Sequence, residues 1–238
     1  MIKYINLLLF AFMIVMNYLA NALPLNGKTT GQLSDAYPNL FVPAGITFSI
    51  WGIIYLLLAA FMVIQFFPAN QETVTKIGWL FALSSLLNGL WIVAWHYQKL
   101  PLSLLIMFGM LVTLTLINIQ LKDQAFSITK AAFGIYLGWI CIATIANVTA
   151  LLVNYKWGGM GVSEETWTIV LIGIGLLITA VAIIRFNNPF IGLAVVWAFA
   201  GIAIKRQTDF RAIFITAIVA LVIAALVVGL SFFNKLRW

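Results

Sequence analysis

Residues 131–155 read AAFGIYLGWICIATIANVTALLVNY, twenty-five positions without a charged side chain. At 1.5 Å per residue, a helix of that length crosses a hydrocarbon layer about 30 Å thick with a turn to spare. Seven more runs repeat the pattern, at 5–23, 42–67, 77–97, 102–119, 167–184, 189–204 and 212–233, and none of them holds Asp, Glu, Lys or Arg. Helices are the economical answer inside lipid, where an unpaired backbone amide finds no water. The expectation is an all-α, polytopic transmembrane helical bundle of about eight helices.

Composition agrees with this reading. The 238 residues are 64% hydrophobic and 8% charged, with mean hydropathy +1.10, whereas a soluble domain carries about 25% charged residues. The net charge of +7 does not imply nucleic acid, because the thirteen Lys and Arg stand singly between apolar runs, where they anchor helix ends at lipid headgroups. Membrane lipid is the expected partner. The single cysteine, Cys141, excludes an intrachain disulfide.

The first run imitates a secretory signal, with Lys3 before it and Ala20-Asn21-Ala22 at its end. At nineteen residues it exceeds the usual signal core of about 7 to 15, so it is expected to be retained as a helix. Tight hairpins are predicted at Pro68, at 98–101 and at Asn187-Asn188-Pro189. The longer loops, 24–41 and 156–166, fall on one side, which is expected to hold the mouth of any ligand site. Lys3, Lys76, Lys122, Lys130, Arg185, Lys235 and Arg237 lie on the side of the termini, and Lys28, Lys99, Lys156, Lys205, Arg206 and Arg211 on the other. The balance is nearly even, and the terminal clusters favour cytoplasmic termini.

No charged group falls at mid-membrane, which disfavours an ion-coupled transporter. Six acids and one histidine cannot be assembled into paired carboxylates, a nucleophile triad or a metal cluster. His96, between Trp95 and Tyr97, reads as a solvated interfacial anchor, and Trp79, Trp157, Trp167 and Trp238 read as interface residues. What remains is a pattern of rings and amides at helical spacing: Phe48, Trp51 and Tyr55 on the second run; Asn88, Trp91 and Trp95 on the third; Tyr136, Trp139, Ala143 and Asn147 on the fifth. Each set makes one helix face. The faces could wall a cleft for a flat hydrophobic molecule. Equally, the indoles could sit at headgroup level while the asparagines join helices through hydrogen bonds worth about 0.6 kcal/mol each.

These residues resemble the TspO/MBR family of tryptophan-rich sensory or translocator proteins, which form a five-helix membrane bundle. Tyr136-x-x-Trp139-x-x-x-Ala143-Thr144-x-x-Asn147 resembles the family's Y-x-x-W-x-x-x-A-S-x-x-N run. Asn88-x-x-Trp91 is similar to its N-x-x-W, and Pro43 followed by Trp51 and Tyr55 to its proline-tryptophan opening segment. Departures are Val42-Pro43 for the paired proline, Gly45 for the next tryptophan, Ile92-Val93 where a proline is usual, and Lys156 directly after Tyr155, which removes the sterol-recognition pattern. The resemblance implies a TspO/MBR-like five-helix core at 1–155 and a three-helix C-terminal extension at 156–238. Gly192, Ala194, Ala198, Gly201, Ala217, Ala220 and Ala224 would let the helices of the extension approach closely. The extension either marks an eight-helix branch of the family or replaces its homodimer contact.

The resemblance further implies a non-enzymatic receptor or carrier in a bacterial cytoplasmic (inner) membrane. It would require no cofactor and would bind a porphyrin-type tetrapyrrole. Trp51, Tyr55, Trp91, Trp95, Tyr136, Trp139 and Ala143 would line the site, with Asn88 and Asn147 supplying hydrogen bonds. The alternatives are a permease subunit or small-solute channel in which the rings only pack, and an enzyme degrading porphyrin, as the family has been suggested to do.

Overall fold

The computed structural model describes residues 1–23 and 25–233. Pro24, at the start of the first long loop, and Lys235, Arg237 and Trp238, read above as anchors, lie outside the described residues. Eight long helices coincide with the eight apolar runs: α1 (Ile2–Ala22), α3 (Ile50–Ile64, preceded by a 3-10 stretch at Gly45–Ser49), α5 (Trp79–His96), α6 (Leu100–Leu121), α7 (Ile128–Asn154), α8 (Glu164–Phe186), α9 (Phe190–Arg206) and α10 (Arg211–Phe232). Two short helices, α2 (Thr30–Asp35) and α4 (Gln71–Ile77), lie in the connections. Seven of the long helices have the length and apolarity to cross a bilayer. The eighth, α9, has 17 residues and reaches only about 26 Å. It lies instead among α7, α8 and α10, with a dense set of buried side chains.

The helix ends carry the chemistry their sequence announces. Thr29 and Gln32 close a reciprocal capping box at the start of α2. The Ser163 hydroxyl accepts from the Thr166 amide, and Glu164 and Glu165 occupy the positive first turn of α8. Asn187, at φ 47°, ends α8 in the left-handed conformation and turns the chain into Asn188-Pro189.

The chain alternates direction along the long helices. The connections 25–44, 97–99, 155–163 and 207–210 therefore share one face of the bundle, as expected from the two long loops, while α1 begins and α10 ends on the other. α7 is the most buried of the seven spans, and α3, α6, α8 and α9 all pack on it. Small residues set how closely. A Cβ on Gly138 would land on the Ile191 carbonyl and 3.1 Å from the Ala194 Cβ, and one on Gly192 would run into Val228 and Ile183. Ala194, Ala198, Ala217, Ala220 and Ala224 are all buried.

Near the end of the bundle far from the long loops, a polar lock joins α6, α7 and the α8–α9 turn. The Asn118 amide donates to the carbonyls of Leu114 (2.9 Å) and Phe133 (3.0 Å). Asn188 donates to the Asn118 side chain (2.8 Å) and to the Lys130 carbonyl (3.0 Å). Lys130 corrects the sequence reading. Its side chain is wholly buried, and its ammonium donates to the carbonyls of Lys122 (2.9 Å) and Gln124 (2.7 Å) just past the end of α6. It is not a headgroup anchor; it neutralises the negative end of a helix from inside the protein.

Gly138→Ala is expected to destabilise the detergent-purified protein by about 3 kcal/mol or more, since backbone rather than a flexible side chain must move. Gly173→Ala, where nothing lies within 4 Å, should leave the melting temperature unchanged or slightly raised. Size-exclusion profiles and thermal melts read both.

Candidate functional site

The ring-bearing faces of α3, α5 and α7 meet at the loop-rich end. Trp51 stacks on Tyr55 (centroids 5.4 Å apart, planes at 19°) and meets Tyr136 (5.9 Å) and Trp139 (6.2 Å) edge-on. Phe48 meets Trp139 in the same way at 6.0 Å. On α5, Trp91 and Trp95 stack 5.7 Å apart at 16°. These offset and T-shaped arrangements are the ones that ring quadrupoles favour.

Two adjoining cavities lie among the rings. The larger, about 320 Å³, is bounded by α1 (Ile14, Asn17, Tyr18, Asn21), by Phe48, Trp51 and Tyr55, by Trp91, and by Thr30 and Gly31 of α2. The smaller, about 50 Å³, is bounded by Thr30, Ser34, Val42 and Pro43 above and by Phe48, Trp91, Trp95, Trp139, Ile142, Ala143, Ala146 and Asn147 around it. Thr30, Phe48 and Trp91 belong to both walls, so the two lobes of the cleft adjoin across these side chains. Its larger lobe is at the small end of the range for ligand pockets.

Seven of the nine residues singled out from the sequence line this cleft: Trp51, Tyr55, Trp91, Trp95, Trp139, Ala143 and Asn147. The other two, Asn88 and Tyr136, are fully buried behind it. Asn88 accepts from Asn17 (2.7 Å) and donates to the Tyr136 oxygen (2.8 Å), whose hydroxyl in turn points to the Met110 sulfur at 3.8 Å. This relay ties α1, α5, α7 and α6 together beneath the cleft.

Sequence reasoning missed the wall from α1 and the roof. The Asn17/Asn21 pair, four residues apart on the first run, and the Thr29-x-x-Gln32 capping box in the loop were the available signals.

The polar balance of the cleft is one-sided. The indole N–H groups of Trp91 and Trp139, the Asn147 amide nitrogen and the hydroxyls of Tyr55 and Thr30 are buried without a hydrogen-bond partner among the described residues. Trp95 is engaged, donating to the Thr30 carbonyl at 3.4 Å, and the Asn147 oxygen accepts from Ser103 at 3.2 Å. All five open groups can donate, and three of them can only donate.

The roof consists of α2 and residues 36–44. Tyr37 packs on Trp95 at 6.0 Å and donates to Gln98 at 3.4 Å. Partial burial raises its phenol above the ordinary value, which keeps that donor protonated. Asn39 accepts from the amides of Phe41 and Val42, both at 3.2 Å, and fixes the turn that brings Pro43 over the rings.

His96 is not the solvated anchor its position suggested: it is fully buried, with Nδ1 2.8 Å from the Ile92 carbonyl, and it does not line the cleft. Among the described residues, no group of three His, Cys, Asp or Glu is placed to hold a metal ion.

A family model for TSPO-like proteins matches residues 3–230. The chain belongs to the TSPO-like protein family. The match runs beyond residue 155 through α8, α9 and most of α10, so membership in the TSPO-like family rests on all eight long helices. No curated protein and no solved structure matches the chain.

Tyr136→Phe removes the acceptor for Asn88 inside a dry region and is expected to lower stability by about 1 kcal/mol. Asn17→Ala should cost a similar amount. Because the groups share one relay, the double variant is expected to lose less than the sum of the two, as read by thermal melts in detergent.

Proposed function

We propose that this TSPO-like membrane protein is a receptor or carrier, not an enzyme, for a flat hydrophobic molecule of the porphyrin-type tetrapyrrole class. The observation that carries this reading is the set of unpartnered N–H donors in an otherwise aromatic wall. In a dry environment an unpaired buried donor costs about 1 to 3 kcal/mol, so a cleft with several is complementary to a guest that brings acceptors. Indole and phenol faces on three helices supply stacking area for a planar body, while no charged side chain among the described residues lines either lobe. A large planar ring with carbonyl or carboxylate groups at its edge meets both demands.

The channel alternative requires a polar path through the bundle. Beyond Tyr136 the rings of Phe61, Phe81 and Phe133 close on one another at 5.2 to 5.8 Å, which favours a dead-ended guest site. In this reading residues 1–155 form the cradle and 156–238 an extension built on it. The reading requires no resident cofactor, and its setting is a bacterial cytoplasmic membrane.

Protoporphyrin added to the detergent-purified protein is expected to show a saturable absorption shift and to quench tryptophan fluorescence. Trp91→Phe and Trp139→Phe should each weaken binding about tenfold, the equivalent of one lost buried hydrogen bond with some ring area. A shift that never saturates, or an affinity indifferent to both substitutions, would remove the reading.

A further inference from the structure

The roof rests on α5 through Tyr37 and Thr30 and, on its other side, on α9. Between Trp197 and Arg206, α9 bonds to the main chain of residues 39–47 at four points. The Trp197 indole donates to the Thr47 carbonyl at 2.9 Å. One turn on, the Ala44 amide donates to the Gly201 carbonyl at 3.0 Å. Gly201 is obligatory there, since a Cβ would collide with the Thr47 side chain. At the end of α9, Arg206 donates through Nε to the Leu40 carbonyl and through Nη2 to that of Asn39, both at 3.0 Å. Its third nitrogen is held by Asp209 at 2.9 Å. Lys205 adds an ion pair to Asp35 at 3.4 Å, with the lysine 30% and the aspartate 72% exposed, so it contributes little.

Arg206 is 93% buried, by its 7% exposure, with its donors on each side of the guanidinium engaged. Such a group is not a lipid anchor; its bonds to main-chain oxygens fix the path of residues 39–40. That path sets where Val42 and Pro43 sit above Trp91, Trp95 and Trp139.

We infer that α9 is a positioning element of the aromatic cleft: Trp197, Gly201 and Arg206 fix the path of residues 39–47 over the rings, so access to a cavity built by α1, α3, α5 and α7 from the roofed side is set in part by a helix that contributes nothing to its walls. The inference rests on the cleft being the guest site, but the roof anchor can be tested without a guest. It also gives the last three helices a role in the site, with α8 and α10 supporting α9 from behind.

The test uses a thiol reporter. With Cys141→Ser removing the native thiol, Ala146→Cys places one on the cleft wall under the roof, and Ala220→Cys places one in the α10 packing as a control. A bulky charged maleimide is applied to the intact protein in detergent. Reaction at 146 is expected to be slow in the parent, about fivefold faster with Trp197→Phe, which removes one N–H and keeps the ring bulk, and tenfold or more faster with Arg206→Met, which frees two carbonyls. Arg206→Lys should restore part of the protection, and reaction at 220 should not change. Acceleration at neither position, or at both alike, overturns the inference. If Arg206→Met does not fold, Trp197→Phe decides by the same criteria. A protein that shows the labelling change but takes up no protoporphyrin keeps the roof anchor and loses only the ligand.

Discussion

In hydrocarbon, a polar atom that finds no partner inside the protein finds none at all, and the arrangement of this bundle follows from where that demand is met and where it is not. At the far end it is met densely: Asn118, Asn188 and Lys130 share carbonyls and one another across three elements. At mid-bundle the Asn17–Asn88–Tyr136 relay meets it in a line. Of the nine buried side-chain atoms left without a partner among the described residues, five belong to residues lining the cleft. The others, on Asn6, Thr47, Ser85 and His96, are scattered singly. A protein that gathers the larger part of its deficit in one ring-lined space has a space shaped for something else to fill.

The second half of the chain obeys the same demand differently. α9 is too short to be comfortable as an isolated span, yet it is buried among neighbours that let its backbone approach within a Cβ radius at Gly138, Gly192 and Gly201. Close approach replaces the hydrophobic driving force that lipid does not provide. Its Gly201 carbonyl and the Arg206 guanidinium then become available to the loop crossing above, whose Ala44 amide and Leu40 and Asn39 carbonyls they engage. Shortness and burial thus go with its use as a strut.

The eight long helices were legible in the sequence, most of them to within about three residues, because a run of about twenty apolar residues admits few structures in lipid; that only seven of them have the length and apolarity to cross was not. The stripes on α3, α5 and α7 were legible because a period of 3.6 fixes which side chains share a face. That those faces turn toward one another was not, since periodicity names a face and never its neighbour. The same gap explains Lys130, Arg206 and His96. A lone basic residue flanking an apolar run looks identical whether it reaches a headgroup or a helix-terminal carbonyl, and the difference is made by α6 ending beside Lys130 and by residues 39–40 passing over Arg206. The α1 wall was hidden for a related reason. Asn17 and Asn21 are too few to make a stripe, and they matter only because Asn88 and Tyr136 continue their line across the bundle.

The two ends of the bundle therefore differ in kind. The far end is closed by rings at Phe61, Phe81 and Phe133 and by the asparagine–lysine lock, all of them contacts that would have to break together for anything to pass. The loop-rich end is covered by a short helix and a turn, tied down by a few hydrogen bonds to α9 and to the end of α5. Small sets of bonds open at modest cost and packed cores do not, so exchange of a guest belongs to the roofed end. A bundle that opens at one end and stays sealed at the other holds what it binds, and for such a protein the grip on the roof matters as much as the walls of the cleft.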